Sequence, residues 1–169
     1  RPRAGGPVVT SLVFSTSSYD YLADRVCAAS GWPRGEVERR RFPDGERYQR
    51  VVTDVADRDV VVIAGTVDED ATLELYDLAS TIVQLGAGRL SLVIPFYGYS
   101  TMERAVRPGE AVVAKTRACL LSSIPAAILH RVFAVAGAMR RRSAHPPSPH
   151  QATCSTRPEI PVIAVLPVA

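Results

Sequence analysis

Apolar positions in this chain fall into short continuous runs, set between longer stretches whose apolar residues recur at helical spacing. The β-branched run VVTSLVFST (8–16) predicts a strand. SSYDYLADRVCAASG (17–31) predicts a helix, with Ser17 or Ser18 as N-cap and Gly31 just beyond its end. EVERRRF (36–42) and RYQRVVTD (47–54) predict two strands joined across Pro43-Asp44-Gly45. DVVVIAG (59–65) has the unbroken apolar character of a strand buried on both faces. DEDATLELYDLASTIVQLGAG (68–88) is the clearest helix. Its acids crowd the first turn, where they suit the helix dipole; Leu75, Leu78, Ala79, Ile82 and Leu85 form one face, and Gly86 marks the stop. RLSLVIP (89–95) predicts a further buried strand. GEAVVAKTRACLLSSIP (109–125) predicts an amphipathic helix closed by Pro125.

Strands alternating with helices imply an α/β fold, a mostly parallel sheet flanked by helices with right-handed crossovers. Ligands of such sheets bind beyond the carboxyl ends of the strands. Two loops fall at that edge: TVDED after strand 59–65, and FYGYSTMERAVRPGE (96–110) after strand 89–95. No internal repeat is visible. Further on, PEIPVIAVLPVA (158–169) predicts one strand, and the SAHPPSPHQATCSTRP stretch before it reads as loosely held.

At 169 residues the chain suffices for one ordinary domain with a real core. With 47% hydrophobic and 22% charged residues it has a soluble globular balance, and its apolar runs are too short to cross a bilayer. The basic start RPRAGGP leads into no apolar stretch of signal-peptide type, so secretion is not expected. Arg at position 1 instead of Met is read as the mark of a processed or clipped product. Cys27, Cys119 and Cys154 lie far apart, which argues against a disulfide framework or zinc site and for a reducing compartment. A cytoplasmic location is expected, with an organelle left open.

The net charge of +3 hides an uneven split. Up to Pro125 there are 15 basic and 16 acidic residues; the last 44 residues hold five arginines, one acid and all three histidines. A domain over 8–125 and a divergent, partly disordered Pro/Arg-rich tail over 126–169 are therefore expected. Arg140-Arg141-Arg142 reads as a solvated charge run, so no nucleic-acid partner is inferred. His145 and His150 lack a neighbouring carboxylate or cysteine for a metal role.

Two segments carry candidate chemistry. RRFPDGERYQR (40–50) can be a tight turn with charged strand edges, or a loop whose exposed Phe42 stacks on a purine while the two carboxylates accept from its amine. IPFYGYSTMERAVRPGEAVVAK (94–115) can be an aromatic loop packed on the surface. Equally, Arg104, Arg107, Lys115 and the free amides of a helix over 110–123 can hold a polyphosphate. Neither segment matches a P-loop or a GxGxxG fingerprint.

Taken in order, FPDGE, the ELYDLAS helix, VIPFYGYS and GEAVVAK resemble the N-terminal half of ribose-phosphate pyrophosphokinases (PRPP synthetases), from about Val8 to Pro125. The resemblance implies a phosphoribosyltransferase-like N-terminal domain. It implies transfer of the diphosphoryl group of Mg-ATP to the 1-hydroxyl of ribose 5-phosphate, in the service of nucleotide biosynthesis. In the family the F-x-D-G-E loop crosses a subunit interface to hold adenine, which assigns Phe42, Asp44 and Glu46 and implies a homo-oligomer or a hetero-oligomer with full-length homologues. Thr101, Met102, Glu103 and Arg104 stand where the family has an ATP-contacting Ala-Arg-Gln-x-x-Asp pattern, and Arg104 is assigned the place of the lost cation. A larger departure follows Pro125. Aligning RVF with the family strand that ends in Asp-Leu-His puts Ala136, Gly137 and Ala138 at those positions, so no catalytic or metal-ligating residue is assigned. A shifted reading frame or retained intron would produce such a break. The chain alone is expected to be inactive, and the alternatives are a non-catalytic regulatory or assembly partner of an active synthetase, or another nucleotide-binding doubly wound domain.

Overall fold

The computed structural model describes residues 10–124 and 129–134. Four strands, β1 (Leu12–Ser15), β4 (Asp59–Ile63), β5 (Arg89–Ile94) and β6 (Leu129–Ala134), form one parallel sheet in that spatial order. Register aligns Leu12 with Val60 and Val60 with Leu90. Strand alternation then divides the side chains between two faces. Leu12, Phe14, Val60, Val62, Leu90, Leu92 and Ile94 join the core beneath α2 (Glu69–Gln84) and α3 (Val113–Ser122). Val13 and Ile63 pack with Ala23 of α1 (Asp20–Ser30) on the opposite face. Helices on both faces are what the continuous apolar strands require. None of the helices described is long and apolar enough to cross a membrane.

Helix α2 is capped as its sequence demands: the Asp68 carboxylate accepts the Ala71 amide at 2.8 Å, and Glu69 and Asp70 occupy the first turn. Leu75, Leu78, Ala79 and Ile82 are fully buried. Leu85 corrects the expected face. It is 48% exposed, because the helix ends at Gln84 and the chain turns away through Gly86 at φ +85°. Ala87 takes the buried place instead.

Other boundaries also differ. Ser17 and Ser18 do not cap α1 but lie in a 3-10 turn (Ser17–Tyr19) before it. The amide and hydroxyl of Ser17 both donate to Glu74 of α2, at 2.8 and 3.0 Å, so the hydroxyl is already committed. Gly31 does end α1, in the left-handed conformation at φ +72°. Helix α3 starts at Val113, short of the expected 109–110. The Glu110 carboxylate there accepts the amides of Val106 and Arg107 and closes a turn that delays the helix. The RVF segment that the resemblance aligns with a family strand lies in a strand, Leu129–Ala134; Ala136, Gly137, Ala138, the arginine triplet and the strand expected over 158–169 lie outside the described residues.

Between α1 and β4 the chain forms a separate two-stranded antiparallel sheet, β2 (Val37–Arg41) with β3 (Arg47–Val51), as the Pro-Asp-Gly turn predicts. Pro33 to Gly35 leads into it along the edge of β1. The Val13 amide donates to the Pro33 carbonyl at 3.0 Å and the Gly35 amide to the Val13 carbonyl at 2.8 Å. The Phe14 ring fills the space a side chain at Gly35 would need.

Candidate functional site

The β2–β3 hairpin is an arm with two distinct faces. Val37, Arg39 and Arg41 pair with Val51, Gln49 and Arg47, and Val37 and Val51 rest on the main core. The alternate pairs belong to the other face: Glu38 holds Arg50 at 2.8 Å, and the Arg40 guanidinium lies 5.5 Å over the Tyr48 ring. Arg41 and Arg47 are directly opposed like charges, an unfavourable pair by itself. Asp70 of α2 resolves it, reaching Arg41 at 2.5 Å and Arg47 at 2.6 Å. One helical turn on, the largely buried Glu74 sits 3.4 Å from Arg39. The spacing matches for a geometric reason. Two strand residues advance about 6.6 Å and four helix residues about 6 Å, so alternate arginines keep step with successive turns. Ser17, Arg39, Arg40, Arg41, Arg47, Asp70 and Glu74 line a cavity of about 290 Å³ at this junction.

At the arm's tip, the Phe42 amide donates to the Glu46 carbonyl and the Gly45 amide to the Phe42 carbonyl, both at 2.9 Å. Asp44 Oδ1 accepts the Glu46 amide at 3.1 Å, and Gly45 supplies φ +92°. Phe42 leans edge-on against Tyr48, with ring centroids 6.1 Å apart, yet stays 48% exposed. A half-exposed aromatic on the same turn as two solvent-facing carboxylates is a surface fit to receive a flat heterocycle.

The second loop leaves β5 at the carboxyl edge of the sheet and is stitched to the loop after β4. Thr66 donates its amide to the Phe96 carbonyl at 3.0 Å, and its hydroxyl accepts the Gly98 amide at 2.9 Å. Only glycine fits at 98, since a Cβ would run into the Thr66 carbonyl. Tyr97 donates its hydroxyl to the Ala114 carbonyl at 3.0 Å, tying the loop to α3, and burial raises its phenol pKa. Tyr99 adopts φ +60°, an uncommon conformation for a bulky residue. Its hydroxyl donates to the Glu69 carboxylate, and Arg117 of α3 lies 5.8 Å over its ring and 3.4 Å from Glu69. The Tyr99 hydrogen bond holds the Glu69 carboxyl below its ordinary pKa; the Arg41 contact, aided by Arg47, does the same for Asp70. The two loops thus converge on neighbouring residues of the first turn of α2.

A family model described as the N-terminal domain of ribose phosphate pyrophosphokinase matches residues 11–124. This chain belongs to that family. Among curated ribose-phosphate pyrophosphokinases, it is 36% identical to that of Methanothermobacter thermautotrophicus over 113 residues, covering 66% of this chain and 40% of the relative. It is 31% identical to that of Fusobacterium nucleatum over 113 residues, covering 66% and 36%. The chain therefore spans about two-fifths or less of the length of these relatives. The phosphoribosylpyrophosphate synthetase structure from Mycobacterium smegmatis shares the fold, with TM-score 0.66 and 23% identity over 74% of this chain and 42% of that one.

Within this ribose-phosphate pyrophosphokinase domain, Phe42, Asp44 and Glu46 gather at the arm tip, while Thr101, Met102, Glu103 and Arg104 lie exposed in the second loop. The Met102 amide donates to the Tyr99 carbonyl at 2.8 Å, closing a turn that carries Thr101 and Met102 and leads into Glu103 and Arg104. Arg107 is exposed in the same loop. Because α3 begins at Val113, the helix amides expected from position 110 are not at the loop's end. Among the described residues no group of three or more His, Cys, Asp or Glu is placed to hold a metal ion, and Ala136, Gly137 and Ala138 carry no ligating side chains. Side chains of that kind offer magnesium no oxygen ligand. Glu69 and Asp70 read in the sequence as helix-dipole acids, and neither their contacts with the two loops nor that of Glu74 was foreseen. The available signal was acids at 70 and 74 on one helix and arginines at 39 and 41 on one strand face.

Proposed function

We propose that this chain is the nucleotide-holding part of a ribose-phosphate diphosphokinase, with ATP as the nucleotide and ribose 5-phosphate as the acceptor of the whole enzyme. The half-exposed Phe42, on one turn with Asp44 and Glu46, carries the reading. Phe42 stacks on adenine, and the carboxylate oxygens not engaged by the tip accept from its exocyclic amine. As the family resemblance implies, the tip of the arm serves the site of a neighbouring subunit in an oligomer, and Arg104 approaches the phosphates of its own subunit's ATP. The family domain is taken as 8–125 and the divergent tail as 126–169.

Calorimetric titration of ATP, at concentrations where light scattering reports assembly, tests this. Phe42→Ala should weaken binding about tenfold or more, the range of a lost base–aromatic stack. Arg104→Ala should weaken ATP more than adenosine. Unchanged affinity in both variants would remove the assignment.

A second reading is favoured by Ala136-Gly137-Ala138, which leave the family's metal-handling position without ligands. It makes the chain a non-catalytic partner that joins active synthetase subunits. Co-purification with a full-length homologue supports this reading, and a strictly monomeric chain opposes it.

A further inference from the structure

We propose that the first turn of α2 positions both nucleotide loops, Asp70 setting the arm and Glu69 setting the aromatic loop. The claim rests on the nucleotide reading above. Neither carboxylate touches the residues assigned to ATP; each acts through intermediaries, so both are positioning residues.

Asp70 is the carboxylate placed between Arg41 and Arg47, and Arg41 immediately precedes Phe42. Arg47 also donates to the Asp70 carbonyl at 3.1 Å, so the arm grips helix backbone as well as side chain. Without the Asp70 charge the opposed arginines repel at the base of the turn, and the tip loses its fixed direction. Glu69, the adjacent residue, accepts the Tyr99 hydroxyl and pairs with Arg117. That contact holds Tyr99 at φ +60°, and the Met102 amide bonded to the Tyr99 carbonyl then sets the course of residues 101–104. The strained backbone has a named restraint, which is how such conformations persist. Asp68 caps the same turn, so three consecutive acids play three different parts. Asp68 builds the helix start, Asp70 seats the arm on it, and Glu69 seats the aromatic loop.

Both residues are solvent-exposed, so neutral variants should fold. The test compares Asp70→Asn, Asp70→Glu and Glu69→Ala in the full chain by amide hydrogen exchange and ATP titration. For Asp70→Asn, amides of residues 37–51 should exchange about three- to tenfold faster while those of β4 and β5 are unchanged, as expected for losing one or two surface ion pairs. ATP affinity should fall with it, and Asp70→Glu should restore both. Glu69→Ala should speed exchange at 98–104 alone and also weaken ATP. Wild-type exchange in both neutral variants overturns the inference. If exchange changes as stated but wild-type protein binds no ATP, the clamp stands and the nucleotide reading fails. If ATP binds wild type and both variants equally, the positioning role is overturned and the nucleotide reading survives.

Discussion

Arg41 and Arg47 face each other across the hairpin, and the one carboxylate that both reach is that of Asp70. That makes the arm sensitive to acid. Arg41 and Arg47 lower the pKa of Asp70, and Tyr99 and Arg117 lower that of Glu69. A carboxyl with a depressed folded pKa contributes stability above its unfolded value, near 4, and loses it as pH falls through the folded value. The arm and the aromatic loop should therefore stay docked through neutral pH and loosen below about pH 4, before the sheet melts. Residue-resolved NMR between pH 7 and pH 3 checks this; shifts of Phe42 and Tyr99 that follow global unfolding would refute it. At this scale the sequence was legible only in part. Phe42, Asp44 and Glu46 announced themselves through a turn motif, which needs only local neighbours. Arg39, Arg41 and Arg47 read as charged strand edges, because Glu74 and Asp70 lie more than twenty residues further along the chain.

Elements were easier to read where one periodicity dominated and harder where two contacts competed. Helix α2 shows a clean 3.6-residue stripe and appeared where the pattern put it. Its neighbour α1 lost its expected serine cap because Glu74 takes the Ser17 hydroxyl, a partner that local patterning does not reveal. The same holds for α3, whose start is delayed by the turn closed on Glu110. The loop after β5 yields the sharpest prediction at this level. Gly98 lies against the Thr66 carbonyl, so Gly98→Ala forces the two edge loops apart. It should cost about 1–3 kcal/mol, the usual penalty of overpacking, read as a lowered thermal midpoint. A midpoint equal to wild type would show that the loop yields freely.

For the whole molecule, alternating strand and helix patterns implied the parallel sheet, its flanking helices and the position of both loops at its carboxyl edge. Chain crossings were less legible, notably the hairpin lying on the α2 side as its own sheet, since charge pairing across layers leaves no periodic trace. The reading of the tail falls largely outside the described residues. Activity belongs to the whole molecule too, because the chain covers 40% or less of the length of these ribose-phosphate pyrophosphokinases. Incubated with ATP, magnesium and ribose 5-phosphate, the pure 169-residue chain should release no AMP by coupled assay. Clear turnover would mean that the positions aligned with Asp-Leu-His are dispensable. The pairing of Arg39 with Glu74 and of Arg41 and Arg47 with Asp70 has a mechanical consequence as well. Strand and helix mesh like a rack and a gear, one tooth per helical turn. For an arm seated this way, the smallest displacement that would bring arginine back against carboxylate is one tooth, about 6 Å.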